Sequence, residues 1–444
     1  MRTLLTLVFV RSVVNEAVKT SNIQPVINLG QGFFGYNPPR FLLDSLKEQI
    51  ERVECNQYSP PMGRTHLREA VSESYSRHTG RQVPVEEVLI TTGANEGILS
   101  IIMAYIDPGD EVIIIEPLFD QFIRNVALAG GVPKYVSLSP SSYYEARQAS
   151  EWTLDMDELE ASISPRTKMM VSLLTLVESH EHNPTGKSFS VAELQVIGDL
   201  CMRHSLIILA DEVYSRFSLT SPVTHIASTF PEITLTVGSV GKDFAATGWR
   251  VGFVIGKSSL LAPVATAHRH TCYASPSAAQ EAAAVGYEEG ETNGYWVQLR
   301  SSIQQKMEKL CMAWEELAVP YYKPDGGYMV LVSLGSVQIP CDYPFPSRVA
   351  EEDDQTKMCW FLVNESNHPF SVLSSACVIL IRKQLSVGVA GLPSSGFYIT
   401  PSESVRNAML FRFAVCREDE TLDLACERLK KLQKYISPAV SVNI

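Results

Sequence analysis

Between about residue 85 and residue 256, short β-branched apolar runs alternate with longer stretches whose apolar positions recur every three or four residues. That alternation is the pattern of βα units stacked on a mostly parallel sheet. The runs 88–92, 111–115, 169–174, 206–210, 234–237 and 251–255 are the predicted strands. Ser190-Val191-Ala192-Glu193 has the form of a capping box, in which serine and glutamate each satisfy a backbone N–H at a helix start. Val191, Leu194, Ile197 and Cys201 follow at helical spacing, so the link between two strands is helical, as a parallel crossover requires.

The two ends read differently. Residues 41–53 place Leu42, Leu46, Ile50 and Val53 on one helical face, and residues 417–436 do the same with Leu422, Cys426, Leu429, Leu432 and Ile436. The second helix opens on Glu418, Asp419 and Glu420 and closes on Lys430, Lys431 and Lys434, charges that complement the helix dipole at both ends. The resulting expectation is an α/β chain in three stretches. Residues 1–45 form an N-terminal arm and part of a small domain, 46–300 a large domain around a mostly parallel central sheet, and 301–444 the rest of a smaller α/β domain. Residues 363–386 fit neither pattern: a polar part with Asn364, Asn367 and His368-Pro369 precedes an apolar run at 371–381. They read as an insertion.

The 444 residues amount to about three domains of roughly 150 residues. With 45 % hydrophobic and 19 % charged residues, the chain has the apolar material for a sizeable core. Its 37 basic and 49 acidic residues leave a net charge of −12. This excludes a nucleic-acid binder held by bulk charge, so any bound anion must be gripped locally. The nine cysteines are scattered and form no C-x-x-C pair, which fits a reducing compartment better than a disulfide framework. No apolar run approaches the roughly 18 residues of a membrane span. Arg2 and Arg11 flank an apolar stretch at 4–10 without an A-x-A cleavage cue. An ordinary N-terminal segment and a cytoplasmic protein are expected, with the mitochondrion as the alternative.

Four strand ends carry the candidate chemistry. Thr91-Thr92-Gly93-Ala94-Asn95-Glu96-Gly97 turns from a strand into a helix and presents backbone N–H groups suited to a phosphate. His182-Asn183-Pro184-Thr185-Gly186 offers a side-chain amide in a turn, and Asp211-Glu212-Val213-Tyr214 puts a carboxylate and a phenol where open α/β sheets bind ligands. Ser239-Val240-Gly241-Lys242 sets a lysine among small residues, with Arg250 eight positions on.

This set resembles the fold-type I aminotransferases that depend on pyridoxal 5'-phosphate (PLP), in particular the class I branch with kynurenine and glutamine aminotransferases. Ile27-Asn28-Leu29-Gly30-Gln31-Gly32-Phe33-Phe34, Asn56-Gln57-Tyr58-Ser59, Glu116-Pro117-Leu118-Phe119-Asp120 and Leu410-Phe411-Arg412-Phe413 extend the likeness. By that resemblance Lys242 is the Schiff-base lysine and the base at the substrate Cα, a task that needs a desolvated amine with a lowered pKa. Asp211 faces the pyridine nitrogen, while Tyr214 and Asn183 hydrogen-bond the phenolic oxygen. Gly93, Ala94, Asn95, Ser239 and Arg250 hold the phosphate, Phe119 lies on the ring, and Arg412 clamps the substrate carboxylate. Gly30 lets the N-terminal loop approach the substrate. Tyr58 reaches the cofactor of a second subunit, which makes a homodimer the expected active unit. The implied reaction moves the amino group of kynurenine or another aromatic or glutamine-like amino acid to a 2-oxo acid by a ping-pong route. The alternatives are β-elimination from cysteine conjugates and an aminotransferase fold that has lost turnover.

Two departures stand out from the family pattern. The approach to Asn183 is several residues longer than usual and carries His180 and His182, an exposed loop rather than a metal site. The stretch 363–386 precedes the segment leading to Arg412. The expectation is that one or both are untypical of the working protein, of the kind translated intron sequence gives.

Overall fold

The structure, a computed structural model, describes residues 16, 19, 21, 23–142, 147–172, 182–217, 225–343, 345–363, 387–399 and 401–436. Eight strands form its larger sheet: β1 (Val88–Thr91), β2 (Glu111–Glu116), β3 (Val132–Pro140), β4 (Trp152–Leu154), β5 (Thr167–Ser172), β6 (Ile207–Asp211), β7 (Thr234–Ser239) and β8 (Gly252–Ile255). They lie in the order β1-β8-β7-β6-β5-β2-β3-β4. The run from β7 to β3 is parallel, β8 is antiparallel to both its neighbours, and β4 is antiparallel to β3. The C-terminal ends of β1, β2, β5, β6 and β7 therefore share one edge with the start of β8.

Both faces of this sheet are covered, which is why its strands read as unbroken apolar runs. Along β2, Val112 and Ile114 pack with Ile98, Ile101 and Ile102 of the helix Ala94–Tyr105 on one face. Ile113 and Ile115 turn to the other face, beside Leu194 and Ile197 of the helix Val191–Arg203. The predicted capping box opens that second helix: Glu193 N donates to Ser190 Oγ at 3.1 Å and Ser190 N to the Glu193 carboxylate at 2.6 Å.

A smaller, five-stranded sheet orders Leu392–Pro393, Leu410–Ala414, Met329–Ser333, Tyr321–Lys323 and Arg147–Gln148. The N-terminal segment is stitched to it. Ile27–Asn28 pairs in parallel with Val389–Ala390, and Leu29 bonds Ala390 and Ala414 through its backbone at 2.9 and 2.7 Å. Residues 30–33 are thereby held over the edge of the larger sheet.

The terminal helices are shorter than the pattern predicts. The first is Arg40–Ile50, followed by a 3₁₀ turn at Val53–Asn56, and Val53 is 75 % exposed rather than part of the apolar face. The last is Asp419–Leu429, passing into a 3₁₀ segment at Lys430–Tyr435. The start at 1–15, the approach to Asn183 at 173–181 and the insertion after Val363 lie outside the described residues. Among the described residues no helix is long and apolar enough to cross a membrane, and the described cysteines are free thiols.

Candidate active site

A cleft of about 420 Å³ opens where the strand ends meet the smaller sheet. The structure brings Ala94, Asn95, Phe119, Asn183, Asp211, Tyr214, Ser239, Lys242, Arg250 and Arg412 into its lining. Gly93, Gly30 and Tyr58 do not line it.

Lys242 sits in the short helical turn Val240–Asp243 directly after β7. Its Nζ donates to Tyr328 Oη at 2.8 Å and to Gly32 O at 3.0 Å. Burial pushes the amine down to about 8, with the Arg412 charge adding to the effect and Cys416 and Asp211 opposing it. The next residue, Asp243, accepts from Tyr287 Oη at 2.6 Å, and its carbonyl accepts from Tyr295 Oη at 2.7 Å. These bonds fix the turn from behind.

Asp211 ends β6 and is 7 % exposed. Burial raises its carboxyl to about 7, against the lowering effects of the Val213 N–H and Lys242. Its Oδ1 is buried and has no hydrogen-bond partner among the described residues. An unsatisfied carboxylate oxygen of this kind is costly unless a ligand meets it. Tyr214, three residues on, stacks edge-on against Tyr328 with ring centroids 5.3 Å apart, and burial raises its phenol pKa.

At the end of β1, Gly93 has φ +79° and caps the helix Ala94–Tyr105. Arg250, with φ +55°, turns its guanidinium back onto this corner, where Nη2 donates to Thr92 O at 3.4 Å and Nη1 to Thr247 O at 3.0 Å. A Cβ on Gly93 would stand 2.5 Å from Arg250 Nη2. Glycine here serves both the positive φ and the close approach of the guanidinium, which explains its place behind the lining rather than in it.

Arg412 lies in the all-buried strand Leu410–Ala414. It donates to Asn183 Oδ1 and to Gly30 O, both at 2.6 Å, and its guanidinium stands 4.9 Å from the Phe397 ring centroid. A Cβ on Gly30 would meet the Gly391 backbone at 2.8 Å. The absence of a side chain at Gly30 thus allows a close approach to the chain's own Gly391 backbone. Tyr58 is 88 % exposed and packs edge-on against Tyr273 at 5.7 Å. His182, expected in an exposed loop, is 1 % exposed, and burial pushes its imidazole down to about 3. Its Nδ1 meets Thr185 Oγ1 at 3.0 Å, so it braces the Asn183 turn from inside.

Residues 24–429 match the family described as aminotransferase class I and II. The chain belongs to this family. BNA3 of Saccharomyces cerevisiae is 39 % identical over 417 residues, covering 93 % of this chain and 88 % of that protein. Its crystal structure superposes with a TM-score of 0.85, each chain covered to 96 %. The kynurenine–oxoglutarate transaminase of Dictyostelium discoideum is 31 % identical over 422 residues (92 % and 91 % covered). Human kynurenine–oxoglutarate transaminase 1 is 29 % identical over 429 residues (94 % and 94 %).

As an aminotransferase of this class the chain is a PLP enzyme, and its cleft fits that cofactor. It offers a partnerless carboxylate oxygen for a ring N–H, backbone donors at a helix start for a phosphate, and an amine of lowered pKa for an aldehyde.

The aminotransferase cleft also contains residues that the sequence did not single out for roles. Tyr328, just behind the lining, accepts from Lys242 and donates to Gly32 O at 3.0 Å, and Gly32, Thr247 and Leu392 are among the further residues of the wall. Pro324-Asp325-Gly326-Gly327, a turn immediately before Tyr328 and the strand Met329–Ser333, is the signal that marks this tyrosine.

Proposed function

We propose that this aminotransferase transfers the amino group of kynurenine, or of another aromatic or glutamine-like L-amino acid, to a 2-oxo acid. The cleft itself carries the reading, because an amine held near pKa 8 and a partnerless buried carboxylate oxygen line one space. The named transaminases above support the substrate class.

Bound PLP supplies an aldehyde for the amino group and a ring that accepts the electron pair left at the substrate Cα. Lys242 is the proposed attachment point, and its freed Nζ removes the proton at Cα. Asp211 holds the proton on the ring nitrogen. Tyr214 and Asn183 would hydrogen-bond the phenolic oxygen, and Phe119 would pack against the ring. Gly93, Ala94, Asn95, Ser239 and Arg250 grip the phosphate. Arg412 presents two parallel N–H groups to the substrate carboxylate, and Gly30 positions Arg412 through its carbonyl. A homodimer is proposed because Tyr58, exposed and remote from its own cleft, is free to reach a neighbour's.

The test is a panel of amino acids with 2-oxoglutarate and pyruvate, followed by product analysis and an absorbance scan. Oxo acid formed from kynurenine supports the proposal; pyruvate and ammonia from cysteine conjugates as the main products would replace it with β-elimination.

Arg412→Gln is expected to cost about 2–5 kcal/mol in transition-state binding, or roughly 30- to 5,000-fold in kcat/KM. The loss should appear for every amino acid in the panel, because the α-carboxylate is common to all. Steady-state kinetics checks this.

Lys242 also sets a pH dependence. Its amine attacks an aldehyde only when neutral, so with a pKa near 8 covalent uptake of PLP by the cofactor-stripped protein accelerates as pH rises and levels off above about 8. An ordinary lysine would keep accelerating to about 10. Borohydride trapping over a pH series measures the curve.

A further inference from the structure

Outside the cleft, one group of side chains combines three kinds of metal ligand. Glu96 lies in the first turn of the helix Ala94–Tyr105, and His268 and Cys272 stand one turn apart at the end of the helix Ser258–Thr271. Glu96, His268 and Cys272 each direct one ligand atom inward, and these atoms all lie within 4.8 Å of one another. His268 Nδ1 is 2.9 Å from Glu96 Oε2 and 3.3 Å from Cys272 Sγ. If Nδ1–H donates to the carboxylate, the thiol sulfur is left only a weak share of the same hydrogen, whereas a cation at their common centre engages all three ligand atoms. Thr92 Oγ1, 3.2 Å from Cys272 Sγ, is available as a fourth donor.

We propose that Glu96, His268 and Cys272 form a site for one zinc-class divalent cation, bound through the carboxylate, Nδ1 and the thiolate, with water or the Thr92 hydroxyl completing a tetrahedron. Zinc bonds of about 2.0–2.3 Å at tetrahedral angles put neighbouring donors roughly 3.4–3.6 Å apart. The two short contacts therefore open by a few tenths of an ångström. Binding expels the thiol proton to solvent, which makes uptake stronger as pH rises. Carboxylate, imidazole and thiolate together suit zinc better than magnesium or calcium, which take oxygen ligands.

The location gives the site a consequence. Glu96 Oε2 also accepts from Thr92 N at 2.8 Å, bracing the turn that leads into Gly93. A cation that takes this oxygen as a ligand loosens that brace, so occupancy is expected to weaken the hold on the cofactor phosphate and slow turnover. The coordination itself is independent of the proposed reaction and is read separately from it.

The experiment titrates the chelator-treated holoenzyme with Co²⁺ alone and follows the visible ligand-field bands of four-coordinate cobalt, then displaces it with Zn²⁺. One Co²⁺ per chain is expected for the unaltered protein. Cys272→Ser and, independently, His268→Gln should weaken binding at least about tenfold, the scale that even an outer-shell change costs. Zn²⁺ inhibition of turnover should fall in parallel in Cys272→Ser, whose activity without metal is unchanged. No four-coordinate cobalt signal, or the same signal and stoichiometry in Cys272→Ser, overturns the proposal; the latter would place the metal elsewhere, for instance at the exposed Cys341.

Discussion

Lys242→Ala is expected to leave a folded protein that still takes up PLP through its phosphate turn and yet transfers no measurable amino group. Acid–base catalysis by a positioned side chain supplies about 10²–10⁴-fold, and losing the covalent attachment point adds to that, so a fall on the order of 10⁴ or more is anticipated. The reason for expecting intact folding is local. Val240, Gly241 and Asp243 are buried around the lysine, and Asp243 is held by Tyr287 and Tyr295 independently of Nζ. Nζ bonds only Tyr328 and Gly32 O among the described residues. Single-turnover kinetics with kynurenine, beside a thermal melt, separates lost chemistry from lost structure.

Asp211→Asn is expected to have the next largest effect. The change is nearly isosteric and removes a buried charge, so the protein should not lose stability; burial already raises that carboxyl to about 7. What disappears is the negative partner that keeps a ring nitrogen protonated, and with it the electron sink that stabilises the charge developing at Cα. Removing one prearranged electrostatic partner costs about 10²–10³-fold; a full charge against a cationic ring belongs at the upper end. The signature is a loss in kcat with little change in KM, since Asp211 meets the cofactor rather than the substrate carboxylate. An equal fall in affinity for every amino acid would assign Asp211 a different role.

How far the sequence revealed this arrangement follows from how local each signal is. β2 announces itself because Val112 to Ile115 are buried on both faces, and the capping box at Ser190 needs only four residues to be read. Lys242 and Asp211 are legible because each lies at or just past the end of a strand, and parallel order brings those ends to one edge, whereas Asn183 is legible from the Pro/Gly turn around it. β3 is not: Pro133, Lys134, Ser137 and Ser139 interrupt its apolar pattern, and its pairing partner is what makes it a strand. Tyr328 reaches Lys242 across 86 positions of chain, a distance no periodicity spans. His182 looked like an exposed polar loop because burial there depends on neighbours remote in sequence, among them Pro324, which packs over Gly186 of the same turn. The Gly391 backbone that lies against Gly30 is out of reach of any local signal, since it stands far along the chain.

The most direct test of a cofactor attached at Lys242 is borohydride reduction of the purified holoenzyme followed by peptide mass mapping. The pyridoxyl phosphate mass increment should fall on the peptide that contains Lys242, at one equivalent per chain. An increment on another lysine, or none with the absorbance unchanged by the reductant, would contradict it.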